Sequence, residues 1–409
     1  MMEGWKEYYL KDIVDELIMG QSPDSSSYNN EKKGIAFVQG NADMQNGFPF
    51  IRMHTTDPKR FSELGDVLLS VRAPVGDVFY NNYGYLAIGR GLSAIRIKNK
   101  DLRTLVFYLL HYDKKQFERL EQGTTFTEIG KKEVRNIRLV IPQNSAEQTA
   151  IAAILSKVDE AIAAVQGSIA AAERLKKSLM QNLFTGRMKP DGTLRKEDEF
   201  YVDEKFGKVP VGWEVKKVKD FGEVITGKTP PTEKPDVFSD KEHGIMFVTP
   251  GDVDTAKYIE QTERYVSEKG IKFSYTLPQN AVCEICIGST IGKIGITTKE
   301  CCTNQQITSV VMNEENDAEY FYYAMLARKD HFKSVAGINA TPQINKSEYS
   351  KYRILCPKTK AEQIEIAQKL SAIDTEINKE QNKIAVLERL KKSLMQNLLT
   401  GRVRINHIK

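Results

Sequence analysis

The sequence predicts an α+β protein built from two similar halves, each with a β-rich globular part followed by one long helix. The first observation is an identical repeat, because ERLKKSLMQNL at 173–183 recurs 215 residues later at 388–398. The second is that the only two tryptophans open matching stretches, as Gly4-Trp5 and Gly212-Trp213. The third is a heptad pattern of apolar residues that leads into each copy of the repeat. Together they predict approximate two-fold symmetry within one chain.

Length and composition agree with two domains of ordinary globular type. The chain has 409 residues, of which 41% are apolar and 28% are charged. No apolar run is long enough for a membrane helix, and the charged start MMEGWKEYYLKD lacks a signal core, so we expect a cytoplasmic protein with no membrane partner. The net charge of +5 permits nucleic-acid binding without requiring it.

The globular parts show the same order of elements twice. Each has a predicted hairpin (66–80 and 281–296), a further strand (92–97 and 307–312), an amphipathic helix (102–120 and 318–335), a polar loop (123–130 and 337–345) and a last strand ending at Pro142 or Pro357. These parts share pattern but little identity, whereas the helix ends share identity. A core tolerates many apolar choices, so identity on exposed positions suggests two copies of one partner.

The helical stretches carry two interleaved heptad registers over five repeats. The registers hold Ile151, Val158, Val165, Ala172, Leu179 with Leu155, Ile162, Ile169, Lys176, Leu183, and Ile366, Ile373, Glu380, Leu387, Leu394 with Leu370, Ile377, Ile384, Lys391, Leu398. Each helix spans about 38 residues, or about 57 Å. We expect the two to pair antiparallel, with Leu175, Leu179 and Leu183 facing the other helix. Packing does not explain the seam lysines Lys176 and Lys391.

Catalytic constellations are not recognisable in the sequence. It contains no P-loop, GxGxxG, GxSxG or HExxH motif, and no Asn- or Asp-Pro-Pro-aromatic quartet of amino-methyltransferases. Cys283 and Cys286 belong to a predicted strand, where residues i and i+3 point to opposite faces, so buried thiols are favoured over a zinc site. We expect no metal site and no catalytic residue on this chain.

The order of motifs resembles the specificity (S) subunits of type I restriction–modification systems, over essentially the whole chain. The resemblance rests on the Gly-Trp openings that lead to Lys-Asp, on GDVLLSVRAPVG and VCEICIGSTIG, and on AIGRGLSAIRI and TNQQITSVV. AEQTAIAAIL and AEQIEIAQKL open the helices, and LKKSLMQNLxTGR closes both repeats. Each motif is weak alone, but the same order occurs twice.

The resemblance implies two target recognition domains, each reading one half of a bipartite, asymmetric site in double-stranded DNA, separated by two long antiparallel coiled-coil helices. The expected boundaries are 1–143 and 212–358 for these domains, 144–186 and 359–402 for the helices, 187–211 for a linker and 403–409 for a tail. The family's helices set the half-site spacing and dock two methyltransferase (M) subunits, which carry S-adenosylmethionine. Restriction (R) subunits, which use ATP and magnesium, join that complex, and the S chain itself needs no cofactor.

Candidate DNA contacts are polar side chains at loops and turns, where base edges and phosphates can be reached. Matching positions in the two halves differ in chemistry, as two domains that read different bases would require. In the first half they are Gln39, Asn41, Arg72, Arg90, Thr124, Thr125, Thr127 and Lys131, and in the second half Lys228, Ser289, Thr290, Lys293, Asn304, Gln305, Gln306, Asn339, Thr341 and Gln343.

Candidate partner contacts are the polar residues of the repeat that face away from the seam. They are Glu173, Arg174, Lys177, Gln181 and Arg187, with their copies Glu388, Arg389, Lys392, Gln396 and Arg402. Two alternatives remain open at this point. One is a self-contained restriction or methylation enzyme, and the other is a non-enzymatic coiled-coil scaffold.

Overall fold

A computed structural model describes residues 3–117, 128–234, 236–253, 256–337 and 342–405. The chain forms two compact units. Unit 1 comprises residues 1–167 and 381–409, and unit 2 comprises residues 168–380. Each unit therefore contains one globular part and one segment from each of the two long helices.

Unit 1 is organised around two sheets, with strand orders β10-β9-β12-β2 and β3-β7-β4-β11-β8, and two further strand pairs, β1-β13 and β5-β6. The strands are β1 Trp5–Tyr9, β2 Val14–Met19, β3 Tyr28–Asn29, β4 Ile35–Val38, β5 Met44–Gln45, β6 Phe48–Pro49, β7 Met53–Thr55, β8 Phe61–Ser62, β9 Val67–Ser70, β10 Val78–Tyr80, β11 Leu86–Ile88, β12 Leu92–Ile97 and β13 Arg138–Pro142. The short helices are Leu10–Ile13, Arg103–Tyr112 and Lys131–Arg135, with 3₁₀ turns at Ser25–Ser27, Asn41–Asp43 and Lys100–Leu102.

Unit 2 repeats this plan, with sheet orders β17-β26-β23-β24-β20 and β18-β21-β19-β25-β22 and the pairs β14-β15 and β16-β27. Its strands are β14 Phe200–Asp203, β15 Gly207–Pro210, β16 Trp213–Lys217, β17 Gly222–Thr226, β18 Phe238–Ser239, β19 Ile245–Val248, β20 Tyr258–Ile259, β21 Arg264–Val266, β22 Thr276–Leu277, β23 Val282–Ile285, β24 Ile294–Thr297, β25 Cys301–Thr303, β26 Ile307–Met312 and β27 Arg353–Pro357. Its short helices are Glu268–Ile271, Ala318–Ala327, Lys329–Val335 and Lys346–Lys351, with 3₁₀ turns at Glu197–Glu199 and Val218–Asp220.

The internal repeat is visible in the strand registers. Trp5 lies opposite Pro142 in unit 1, and Trp213 lies opposite Pro357 in unit 2. The predicted hairpins form β9 with β10 and β23 with β24, and the predicted strands 92–97 and 307–312 are β12 and β26. The two globular parts therefore share one fold despite their different sequences.

Two helices of 39 residues each, Ser145–Leu183 and Lys360–Leu398, span about 58 Å at 1.5 Å per residue. We call them the first and second long helices. Both end the same way, because Gly186 and Gly401 adopt φ of 67° and 65°, the left-handed conformation that glycine allows after a helix. The identical repeat therefore has the same local structure in both units.

The long helices run antiparallel, and their apolar faces complete the cores. In unit 1, Leu155 from the start of the first long helix and Leu398 from the end of the second belong to one core. In unit 2, Leu183 from the end of the first and Leu370 from the start of the second belong to another. The predicted antiparallel pairing is confirmed.

Three sequence expectations differ from the structure. Leu175 does not pack in the seam, because 52% of it is exposed. The linker, whose proline, glycine and charged residues predict a loop, also contains a hairpin of β14 and β15. The helix expected over 318–335 is divided at Arg328, where ψ is 14°, and the one expected from 102 ends at Tyr112.

Candidate nucleic-acid interface

Each unit brings three loops together at the carboxyl ends of one parallel strand pair. In unit 1 the pair is β4 and β11, and in unit 2 it is β19 and β25. The chain leaves both strands of a parallel pair at the same sheet edge, so the loops that follow them lie close together, and surface loops are where binding residues are commonly found. The third loop follows β2 in unit 1 and β17 in unit 2.

In unit 1 these loops form a surface cleft, which we call the unit 1 cleft. Gln21 N donates to Ile88 O at 3.0 Å, and Arg90 N donates to Ser22 Oγ at 3.2 Å. The cleft is lined by Gly20, Gln21, Ser22, Pro23, Ser25, Tyr28, Gln39 and Arg90. The side chains of Gln39 and Arg90 are exposed there. Two predicted DNA contacts thus share one concave surface.

The β9–β10 hairpin turn of unit 1 lies beside that cleft. Asn41 Nδ2 donates to Pro74 O at 3.1 Å and to Asp77 Oδ2 at 2.6 Å, which joins the loop after β4 to the turn. Arg72 forms an ion pair of 3.1 Å with Glu128 on the adjacent loop. Lys131 is exposed at the start of the next helix. The loop that carries Gln39 is thus hydrogen-bonded to the hairpin turn that carries Arg72.

In unit 2 the equivalent loops are tied by backbone and side-chain hydrogen bonds. Lys228 N donates to Thr303 O at 2.9 Å, and Asn304 N donates to Val248 O at 3.1 Å. Thr229 Oγ1 donates to Gln305 Oε1 at 2.5 Å, so the loops after β17 and β25 hold each other through side chains. Lys228 and Gln305 are exposed. These positions match the unit 1 cleft but present different chemical groups.

The β23–β24 hairpin of unit 2 is tied to the same loops. Cys286 N donates to Gln306 O at 2.8 Å, and Gly288 N donates to Pro342 O at 2.9 Å. Gln343 bridges to Ile287 just as Glu128 bridges to Arg72 in unit 1. Ser289 is exposed at the turn, whereas Thr290 and Lys293 are half-buried. The loops that carry the described candidates of unit 2 are therefore joined to one another by hydrogen bonds.

Several buried polar atoms at these loops lack a hydrogen-bond partner. Among the described residues, six buried side-chain nitrogen or oxygen atoms are unpaired, and three of them are Asn41 Oδ1, Arg72 Nε and Thr303 Oγ1. Burial of an unpaired polar atom costs free energy. Such atoms are available to a polar ligand or to water.

Some candidates stay untested and others were missed. Thr124, Thr125, Thr127, Asn339 and Thr341 lie outside the described residues. Lys228 was among the predicted DNA contacts, whereas its counterpart Gln21, and also Ser22 and Thr229, were not. Both loops begin with glycine and reach proline three residues later, so the matching turn signal could have identified all of them.

The repeated helix end presents the same exposed face in both units. Glu173, Arg174, Lys177, Gln181 and Arg187 are exposed in unit 2, and so are Glu388, Arg389, Lys392, Gln396 and Arg402 in unit 1. Leu175 and its copy Leu390 are also 52% and 45% exposed. An exposed leucine that recurs within an identical charged surface indicates a protein contact better than the charges alone.

Other kinds of site receive no support from the described part of the chain. No three His, Cys, Asp or Glu side chains there gather as metal ligands, and all five cysteines are buried free thiols. None of the helices with described residues is both long and apolar enough to cross a membrane.

The family model for the type I restriction modification DNA specificity domain matches the chain twice, at residues 2–174 and 210–389. The chain belongs to this specificity family. The two matches begin near the two tryptophans and run into the two long helices. The sequence-based resemblance is therefore confirmed, and so is the predicted α+β fold with an internal repeat.

Individual members of the specificity family differ in how much of this chain they match. A protein of Methanocaldococcus jannaschii, provisionally named the type I restriction enzyme MjaX specificity subunit, is 41% identical over 190 residues, or 46% of this chain and 43% of that protein. The chain thus spans less than half the length of this relative. The MjaVIII specificity subunit of the same organism is 24% identical over 99% of this chain and 94% of its own length.

A solved specificity-family structure shares the fold of this chain. The type I restriction–modification S subunit from M. genitalium superposes with a TM-score of 0.64 at 15% identity, covering 96% of both chains. At this identity the likeness concerns the fold alone.

Proposed function

We propose that this chain is the DNA-specificity subunit of a type I restriction–modification complex and performs no catalysis itself. Residues 1–143 and 212–358 act as the first and second recognition domains. Each reads one half of a bipartite, asymmetric site in double-stranded DNA. The helical regions 144–186 and 359–402 set the half-site spacing, and residues 187–211 link the two copies.

The observation that carries this proposal is a contrast between surfaces that occupy matching positions. The unit 1 cleft presents Gln21 and Arg90, whereas the matching positions of unit 2 present Lys228 and Gln305. The repeated helix ends, in contrast, present identical side chains. Different chemistry on one scaffold suits two different base sequences, and identical chemistry suits two copies of one protein.

The identical surfaces are the docking sites for two methyltransferase subunits in this proposal. Each site combines an exposed leucine with charged neighbours, as interfaces with an apolar centre and a polar rim do. Leu175 follows the exposed Arg174 directly in the helix, and Leu390 follows its copy Arg389. Restriction subunits then join this complex. S-adenosylmethionine belongs to the methyltransferase, and ATP with magnesium to the restriction subunit.

The decisive experiment mixes the protein with a methyltransferase subunit and maps methylated adenines in random-sequence DNA. The expected result is methylation at one bipartite motif, which neither protein produces alone. Sequence-specific methylation by this chain alone would favour a self-contained enzyme. Absence of DNA binding even with the partner would favour a coiled-coil scaffold.

A further inference from the structure

The seam lysine of unit 2 belongs to a polar cluster of three residues, which we call the unit 2 triad. Lys176 Nζ lies 2.5 Å from Asp374 Oδ1, and Tyr323 Oη donates to Asp374 Oδ2 at 2.5 Å. Lys176 Nζ also lies 5.4 Å from the centre of the Tyr323 ring, within range of a cation–π interaction. One residue comes from each long helix, and the tyrosine comes from the helix Ala318–Ala327 of the globular part.

Unit 1 contains the same cluster, the unit 1 triad. Lys391 Nζ lies 2.6 Å from Asp159 Oδ1, and Tyr108 Oη donates to Asp159 Oδ2 at 2.7 Å. The lysine lies 5.7 Å from the Tyr108 ring centre. Each member stands 215 residues from its counterpart, but the long helices exchange roles, because here the second supplies the lysine and the first the aspartate.

The two triads recur although the globular parts around them have diverged. Lysine and aspartate side chains in both pairs are between 18% and 20% exposed. Ion pairs this well shielded cost desolvation, and apolar residues of similar size would hold the helices at least as firmly. A polar group at a heptad seam finds its hydrogen-bonding or charged partner in only one alignment of the two helices. Its role is therefore best explained as fixing the register of that helix pair.

The tyrosines connect each pair of helix segments to the globular part of the same unit. Burial raises the pKa of Tyr108 and Tyr323 far above the ordinary value, so both hydroxyls remain protonated and act as donors to the aspartates. In unit 2, Lys257 adds a second tie, because its Nζ lies 2.8 Å from Ser371 Oγ and 2.9 Å from Glu319 Oε2. Each triad thus joins three segments at one point: both long helices and the globular part of its own unit.

We propose that the two triads are positioning residues, which hold each recognition domain on its pair of helix segments. Their members are Lys176–Asp374–Tyr323 and Lys391–Asp159–Tyr108. By holding the domains, they determine how strictly the protein discriminates half-site spacing. The inference rests on the proposed function. One extra base pair moves a half-site by about 3.4 Å along the duplex and about 35° around it. A domain held at a single point in fixed register rejects such a shift, whereas a looser domain tolerates it.

The test uses the full chain with its methyltransferase partner and duplexes that keep both half-sites but have the native spacer or one base pair more or less. The measured quantity is the ratio of methylation rates between native and altered spacers. Lys176→Met and Lys391→Met keep side-chain length but remove the charge. Each is expected to lower this ratio about tenfold, the size of a typical coupling between contacting residues, mainly through faster methylation at altered spacers.

Matched controls separate positioning from stability. Lys379→Met in unit 2 and Lys157→Met in unit 1 remove exposed lysines from the same long helices, and the ratio should not change. Lys176→Arg should restore the ratio because it keeps the ion pair, and Tyr323→Phe should lower it by loss of one hydroxyl. Equal loss of rate at every spacer, or an unchanged ratio in folded Lys→Met variants, would overturn the positioning role. Absence of site-specific methylation by the wild-type complex would instead overturn the proposed function.

Discussion

Arg404 binds Glu147 through two nitrogens, with Nε 2.7 Å from Oε1 and Nη2 2.9 Å from Oε2. The arginine also donates to Glu3 O at 2.8 Å. The tail after the second long helix thereby contacts both the start of the chain and the start of the first long helix. Arg404 thus joins three segments of unit 1, namely the short tail, residue 3 and the start of the first long helix.

Unit 2 achieves the same closure with a different part of the chain. Arg195 from the linker lies 2.6 Å from Glu362 Oε1, and Trp213 Nε1 donates to the same oxygen at 2.9 Å. Glu147 and Glu362 are counterparts in the two long helices. An arginine that follows one long helix therefore binds the glutamate that begins the other.

We expect Arg404→Ala to destabilise unit 1 selectively. The substitution leaves Glu147, which is 1% exposed, without its cation. Hydrogen exchange followed by mass spectrometry should show faster exchange in β13 and unchanged exchange in β27. Arg402→Ala, which removes an exposed arginine two residues away, is the control and should change neither strand. Equal acceleration in both strands would contradict a closure confined to unit 1.

Arg195→Ala should have the converse effect. Its side chain is 7% exposed and also donates to Gly186 O at 2.8 Å, so its removal disrupts a shielded ion pair and a backbone contact. The expected loss of unfolding free energy is about 3 kcal/mol in unit 2. The same exchange experiment should then show acceleration in β27 alone, and protection of β27 at the wild-type level would refute the prediction.

Glu284 makes the stability of unit 2 depend on pH. It is fully buried, accepts a hydrogen bond of 3.0 Å from Tyr349, and burial raises its pKa from 4.5 to about 8. Between pH 4.5 and about 8, the folded state therefore keeps a proton on Glu284 that the unfolded state has released. The stabilisation is complete below pH 4.5 and is lost as pH rises towards 8, with a slope of about 1.4 kcal/mol per pH unit.

Glu284→Gln should remove most of this slope. Urea unfolding between pH 5 and 8 measures it, with Trp213 fluorescence reporting unit 2 in a Trp5→Phe background. Unit 1, reported by Trp5 fluorescence in a Trp213→Phe background, provides an internal control because Leu69 pairs with Ser93 as Glu284 pairs with Thr308. Its unfolding should lack this contribution. A wild-type slope that survives in Glu284→Gln would assign the pH dependence to another group.

Replacement of the exposed leucines should change the stoichiometry of the complex. Leu175→Glu should leave one methyltransferase bound, and Leu175→Glu combined with Leu390→Glu should leave none, as measured by native mass spectrometry. Because both side chains are about half exposed, the folded state should change by less than about 1 kcal/mol. Val202→Glu, at an 81% exposed position in β14, is the control and should retain two bound subunits.

The sequence identified the elements but not all of their contacts. The strands 92–97 and 307–312 follow from short runs rich in apolar residues, and the long helices follow from a heptad pattern, both of which are local properties. The partners of Lys176 and Lys391 could not be predicted, because each aspartate lies in the other long helix and each tyrosine in a globular part. Leu175 was wrongly assigned to the seam, because it stands beside Lys176 but belongs to neither heptad register.

The candidate site was predictable to the same limited degree. Turn signals placed Arg72, Arg90 and Gln305 on loops, and the structure brings these loops to one edge in each unit. That convergence depends on the parallel pairing of β4 with β11 and of β19 with β25, whose strands are far apart in sequence. A local turn signal, Gly20 to Pro23, marks Gln21 and Ser22 as loop residues, but it does not show that their loop lies beside β11.

Each half-site should respond only to its own unit. Arg72→Ala and Arg90→Ala remove cations from the unit 1 surface, so competition binding should show reduced discrimination between the native and a mutated first half-site. The expected loss is about 1–3 kcal/mol for a side chain that reads a base. Gln305→Ala should reduce discrimination at the second half-site alone. Because Arg72 is paired with Glu128, it must exchange that partner for DNA, and its effect should be smaller than that of Arg90. Equal losses at both half-sites would show that these side chains contact only the phosphate backbone or act through folding.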